Sequence, residues 1–334
     1  MGRAEVVNAA LASIESYAGQ ARIISEPEVI DVIPSGAFSV DQLLGCCGYP
    51  RGRIAEIFGD ESCGKTTAAL HLIVEAQKRG HICCFVDAEH AYDASYAKLL
   101  GVDIENLLVL EPRTGEDAFA MLDTLLDNGV GVVVVDSVAG LTPGAELESC
   151  IDMEANTGQG AMMSKGLRQL SAKVKKRNAL VLFTNQVRYS KNDHGDFYKT
   201  TPGGNALKFY ASIRLNISNI GSIKNDDDLV IGFNASISSF KNKMGVPNRT
   251  AVVPIIYNLG FDRLTDLVNV ALNLGVIERT GCEEFIYKSA IVATSFESMV
   301  LALSSNTDRR DSIAKEVKSK IVYKPESFRP SFNR

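Results

Sequence analysis

The chain has 334 residues, 46% of them hydrophobic, which is enough to bury a large core, and this length favours one big domain with smaller attachments. A formal net charge of −5 excludes a protein that is basic throughout, and no run reaches the roughly 18 apolar residues of a membrane span. Seven cysteines with no C-x-x-C spacing exclude a zinc ribbon or a dithiol redox motif, and suit small buried residues in a reducing compartment.

Residues 5–17 place Val7, Leu11, Ile14 and Tyr17 at helical spacing, so a short amphipathic helix is predicted first, before a loop with Pro27 and Pro34. The start "MGRAEVVNAA" has no long apolar region after a basic head, so an unexported chain is expected. Val6 stands where an acylation signal needs Ser or Thr, so no lipid anchor is expected either. Strand-like runs follow at 53–59, 82–87, 107–110, 131–136 and 179–185, several of them apolar throughout, with helical stretches such as 66–79 and 115–127 between them. That rhythm predicts a parallel α/β sheet with right-handed crossovers. After about residue 206, "ASIRLNIS", "LVIGFNASIS" and "TAVVPIIYN" read as consecutive antiparallel strands that extend the sheet. From about 262 the pattern predicts a small C-terminal α/β module: a helix over 264–274, a turn at Gly281, a brief strand, and helices near 296–304 and 308–319. Two stretches are locally basic. Residues 151–205 carry nine Lys/Arg against four acids, and residues 309–334 carry eight against three. Such stripes suit either solvated helix faces or a polyanionic partner.

The chemistry starts at "GDESCGKTT", residues 59–67, which has the G-x-x-x-x-G-K-[ST] spacing of a phosphate-binding loop between a strand and a helix. Gly59 and Gly64 let the backbone of Asp60, Glu61, Ser62 and Cys63 turn its N–H groups toward phosphate oxygens at a helix N-terminus. Lys65 then reaches the β and γ phosphates, Thr66 ligates Mg²⁺, and Thr67 completes the loop. "GVVVVD" ends in Asp136 at the carboxyl edge of a buried strand, where it positions the metal, partly through water. A nucleophilic water also needs a base. "FVDAEH" offers Asp87 and Glu89, of which Glu89 is the better candidate because it opens onto the ligand crevice.

Several stretches taken together resemble the bacterial RecA recombinases and their phage relatives: "GYPRGRIAEIFGDESCGKTT", "FVDAEHAYD", "VVVVDSVAGLTPGAELE", "MMSKGLRQL", "FTNQVR" and above all "TTPGGNALKFYAS". The resemblance runs from about residue 35 to 261. It implies an α/β fold with a RecA-like ATPase core, its mostly parallel sheet extended by antiparallel strands, flanked by an N-terminal helix arm and a small C-terminal α/β domain. The implied division is 1–33 as polymerisation helix and linker, 34–261 as ATPase and DNA-binding core, and 262–334 as C-terminal domain with a basic tail.

The implied activity is that of a recombinase which uses ATP and Mg²⁺, polymerises with itself on single-stranded DNA and exchanges strands with a homologous duplex in the cytoplasm, or in a host's cytoplasm if phage-encoded. A ring helicase of the same core and a low-turnover DNA-coating scaffold are the competing readings. Carried over by position, Asp93 and Tyr96 hold adenine, Gln186 senses the γ-phosphate, and Lys241 and Lys243 reach across the protomer interface to the neighbour's nucleotide. The first DNA loop falls at 149–156 and the second at 187–203. The implied DNA contacts are Arg168, Arg188, Tyr189, Lys191, Phe197, Thr200, Thr201, Gly203, Gly204 and Asn205. The loops depart from the family. Ala161 stands where an arginine is usual, Lys191 where an aliphatic wedge is expected, and Gly195 where an aromatic is expected. Tyr189 or Phe197 is therefore expected to take over the wedge, with Lys191 moving to phosphate.

Overall fold

The computed structural model describes residues 5–7, 13, 30–148, 158–191, 197–281 and 283–321. Of the helix predicted over 5–17, residues 5–7 and 13 are helical and the rest lie outside the described residues, as do the first DNA loop, Cys150, Cys282 and the basic tail. Contacts divide the chain into two compact units, residues 1–31 and 32–334, and the second holds every element named below.

Helix α1 (Phe38–Leu44) stops at Gly45, whose φ of 77° is the left-handed conformation that lets the chain turn away. Next come β1 (Arg53–Gly59), α2 (Lys65–Gln77), β2 (Cys83–Asp87), α3 (Ala94–Leu99), β3 (Leu107–Leu110), α4 (Gly115–Asp127), β4 (Val132–Asp136), α5 (Gln159–Lys176), β5 (Leu180–Gln186) and α6 (Ala206–Tyr210). The antiparallel extension is β6 (Ile213–Lys224), β7 (Val230–Asn242), β8 (Thr250–Ile256) and β9 (Gly260–Phe261). Among the described residues these strands form one nine-stranded sheet in the order β9-β8-β7-β6-β1-β5-β4-β2-β3. β1 runs parallel to both β5 and β6, so the mixed sheet changes from parallel to antiparallel at β6.

The period-2 alternation of β1 divides the core. Ala55 and Ile57 join the α2 face, with Leu72, Ile73 and Leu215, while Ile54 joins the α4–α5 face, with Leu122, Leu126, Met163 and Phe183. A third cluster, including Leu267, Phe285, Met299, Ile313 and Val317, is the core of the C-terminal module. That module comprises α7 (Arg263–Asn273), α8 (Phe296–Ser305), α9 (Thr307–Ile321) and a small sheet. Phe38 and Cys47 pack against this third cluster.

From residue 53 on, the predicted strands and helices are present, most with boundary shifts of one or two residues, but β6 and β7 run on to Lys224 and Asn242, well past the stretches 211–218 and 229–238 that the sequence marks. Helices α3 and α6, the ribbon of 188–191 with 197–200, and the pairing of Val32–Ile33 with Tyr49–Pro50 are additions that the sequence pattern does not predict. Register is what builds the site. Gly59 lies opposite both Gln186 and Ile217, and Asp87 opposite Asp136, so the carboxyl ends of β1, β2, β4 and β5 open on one edge of the sheet.

Candidate active site

At that edge β1 runs into the glycine loop. Gly64 holds φ 95° and ψ 20°, and a Cβ there would stand 2.6 Å from Ile255 Cδ1; at Gly59 one would stand 2.1 Å from the carbonyl oxygen of Ile217. Both positions therefore require glycine for the close backbone turn. Helix α2 opens at Lys65 with no side chain capping its N-terminus, so the end of its dipole is left for an anion. The Lys65 ammonium donates to the carbonyls of Asp60 (2.6 Å) and Gly59 (3.3 Å), within the loop that a phosphate would fill. Cys63, inside the loop, is buried and its thiol donates to the Asp60 carbonyl.

Thr66 Oγ1 donates to Asp136 Oδ2 at 2.7 Å, and Thr184 Oγ1 donates to Asp136 Oδ1. Asp136 is nearly buried, and desolvation raises its pKa against the pull of these two hydrogen bonds, with the Glu89 charge pushing in the same direction as burial. A hydroxyl and a carboxylate side by side, under electrostatic stress from a second carboxylate, form a hard oxygen donor set that suits Mg²⁺. Asp87 has a different job. Its two oxygens accept the backbone N–H groups of Ala91 and Tyr92, which folds the turn after β2, and of the two acids in this motif it is Glu89 that lines the cleft. Glu89 is exposed, and its Oε1 accepts from both Ser137 Oγ and Gln186 Nε2.

The cleft has a volume of about 760 Å³. Glu61, Ser62, Gly64, Lys65, Thr66, Thr67, Glu89, Tyr96, Asp136 and Gln186 line one side of it. Tyr96 reaches it through a 2.8 Å hydrogen bond between its hydroxyl and Thr67 Oγ1. Asp93 is not in its wall; that carboxylate caps α3, accepting from Ser95 N and Tyr96 N. The opposite wall is not legible in the sequence. Phe233, Ile255, Ile256, Tyr257 and Asn258 reach the cleft from β7, the end of β8 and the turn after it, far along the chain from the glycine loop. No local pattern marks them, and only the β8-β7-β6-β1 strand order brings them there.

The family described as RecA N-terminal domain matches residues 5–262. The chain is 43% identical over 312 residues to the protein RecA of Mesorhizobium japonicum, covering 92% of this chain and 85% of that one. It is 42% identical over 325 residues to that of Brucella anthropi (96% and 88%), and 46% over 287 to that of Bartonella bacilliformis (84% and 82%). The chain belongs to the RecA family. As a RecA recombinase it is a DNA-dependent ATPase with strand-exchange activity in homologous recombination and repair. It uses ATP with Mg²⁺, binds single- and double-stranded DNA and polymerises into filaments.

In this RecA chain Gln186 also reaches outward: its Oε1 accepts from Arg188 Nη2 at 2.5 Å, so Glu89, Gln186 and Arg188 form a hydrogen-bonded chain from the cleft to the 188–191 strand. The side chains of Tyr189, Lys191 and Phe197 lie outside the described residues. Thr200 Oγ1 and Asn205 Oδ1 both accept from Lys208 Nζ at 3.1 Å, and Thr201 is buried. Gly203 and Gly204 hold φ 84° and 71°, with the Gly203 N–H donated to Gln159 Oε1, a residue that no sequence motif singles out. Arg168 is exposed on α5.

Lys241 and Lys243 are not in the cleft of their own chain. The Lys241 ammonium donates to the carbonyls of Lys208 and Phe209 at the end of α6, and desolvation followed by the neighbouring Lys243 charge lowers its pKa; Lys243 is exposed. No helix among the described residues is long and apolar enough to cross a membrane.

Proposed function

We propose that each protomer binds ATP on the glycine loop and uses Glu89 as the general base for water, with Gln186 and Arg188 reporting the state of the nucleotide to the second DNA loop. The hydrogen-bonded chain Glu89–Gln186–Arg188 carries this reading, because one amide touches both the base and a loop arginine. In this reading Lys65 neutralises the β and γ phosphates, Thr66 and Asp136 hold Mg²⁺, and Tyr96 meets the base with Asp93 behind it. When bound, Mg²⁺ supplies charge neutralisation on the phosphate oxygens. Lys241 and Lys243 act on the neighbouring protomer's nucleotide, an arginine-finger role given to lysine. DNA phosphates meet Arg168, Arg188, Lys191, Thr200, Thr201, Gly203, Gly204 and Asn205, while Tyr189 or Phe197 wedges between bases. Residues 1–33, 34–261 and 262–334 serve as polymerisation arm, catalytic core and C-terminal domain. The site of action is the cytoplasm of a bacterium or of a phage's host.

Glu89→Gln tests the assignment. Hydrolysis is expected to fall by about 10² to 10⁴, the usual yield of a general base, with ATP-dependent binding to single-stranded DNA retained. Turnover near wild type removes Glu89 from the chemistry, and lost nucleotide binding makes it structural.

A further inference from the structure

Glu89 is exposed at the open end of a strand, and a free glutamate there would spread over several rotamers. Two donors, Ser137 Oγ and Gln186 Nε2, meet on its Oε1. Gln186 is only partly buried and is itself shared with Arg188, whereas Ser137 is 1% exposed and directly follows Asp136 at the end of β4. Ser137 is also the N-cap of the short turn Val138–Gly140, where a serine hydroxyl ordinarily accepts a backbone N–H, yet its side chain makes no capping bond. The hydroxyl is committed to Glu89 instead.

We propose that Ser137 is a positioning residue for ATP hydrolysis. Its hydroxyl holds Glu89 Oε1, which leaves Oε2 as the oxygen that takes the proton of the attacking water. The proposal rests on Glu89 being the general base. The charged groups around the pair are Asp136 on β4, Lys65 at the start of α2 and, through Gln186, Arg188. Removing the hydroxyl strands no buried donor, and the freed Glu89 oxygen can turn to water, so the variant is expected to fold.

The experiment is a cycle of Ser137→Ala, Glu89→Gln and the double variant in the full-length chain, assayed for ATP hydrolysis on a poly-dT oligonucleotide. Ser137→Ala is expected to lower kcat about tenfold, the scale of a slightly misplaced catalytic group, with KM for ATP unchanged. In the Glu89→Gln background the same change is expected to cost less than twofold. A Ser137→Ala enzyme within twofold of wild type, or an equal loss in both backgrounds, overturns the positioning role. Wild-type turnover by Glu89→Gln alone overturns the base assignment and the proposal with it, a result that involves no change at Ser137.

Discussion

Arg214→Met removes one partner of an ion pair set between the phosphate-loop strand and the antiparallel extension. Glu56 on β1 is fully buried; its Oε2 accepts from Arg214 Nε at 2.5 Å and its Oε1 from Asn185 Nδ2 at 3.0 Å. Arg214 is only 13% exposed and lies over the Phe58 ring at 4.8 Å. Methionine keeps much of that packing but leaves a buried carboxylate with a single neutral donor. Breaking a buried pair in this way costs about 3–5 kcal/mol, of the order of a third of a domain's whole stability. With a urea m-value of roughly 3 kcal/mol/M, the midpoint should fall by about 1 M or more. Adding Glu56→Gln, which removes the stranded charge and keeps an acceptor for Asn185, should recover at least half of the loss. A single variant within about 1 kcal/mol of wild type, or a double variant no better than the single, refutes the reasoning that buried Glu56 depends on Arg214 as its partner.

Lys241→Ala with Lys243→Ala should bind ATP as a monomer yet lose DNA-stimulated hydrolysis, and mixing it with Glu89→Gln should restore partial activity; no recovery at any ratio despite co-assembly would mean that each site is complete within one chain. Asp41→Asn addresses stability. Burial pushes Asp41 from 3.8 up to about 7 against the hydrogen bonds from Ser35, so the folded chain holds this proton more tightly than the unfolded one. Its stabilising contribution is complete below the unfolded value and is lost as pH rises through the folded one. Asparagine keeps the acceptor, so the loss in urea midpoint between pH 5 and pH 8 should shrink in the variant; an unchanged pH dependence would refute the assignment.

Local pattern carries the parallel half of the sheet. The glycine loop, the runs ending in Asp87 and Asp136, and "FTNQ" each announce a strand's carboxyl end, and parallel register then aligns those ends without further information. Asp87 and Glu89 stand two apart on one motif, and the sequence favours Glu89 only by position. The physical reason appears in the turn, where Asp87 is consumed by two backbone N–H groups. The far wall of the cleft is illegible in the sequence because Phe233 and Ile255 belong to ordinary-looking strands whose neighbours are set by sheet order. Gln159 is hidden for a related reason: its amide matters because α5 starts beside Gly203 and beside the carbonyls of Val138 and Leu141. The small helices α3 and α6 are too short for a periodic pattern to show.

One amide, that of Gln186, joins Glu89 in the cleft to Arg188 on the 188–191 strand, the segment proposed to meet DNA. The direct test of that coupling is the ratio of ATP hydrolysis with and without single-stranded DNA in Gln186→Ala, with ATP and DNA binding measured alongside. The predicted result is a ratio that collapses toward one while both ligands still bind, because the Glu89–Gln186–Arg188 chain is cut at its middle. Full stimulation by DNA in this variant would contradict the coupling.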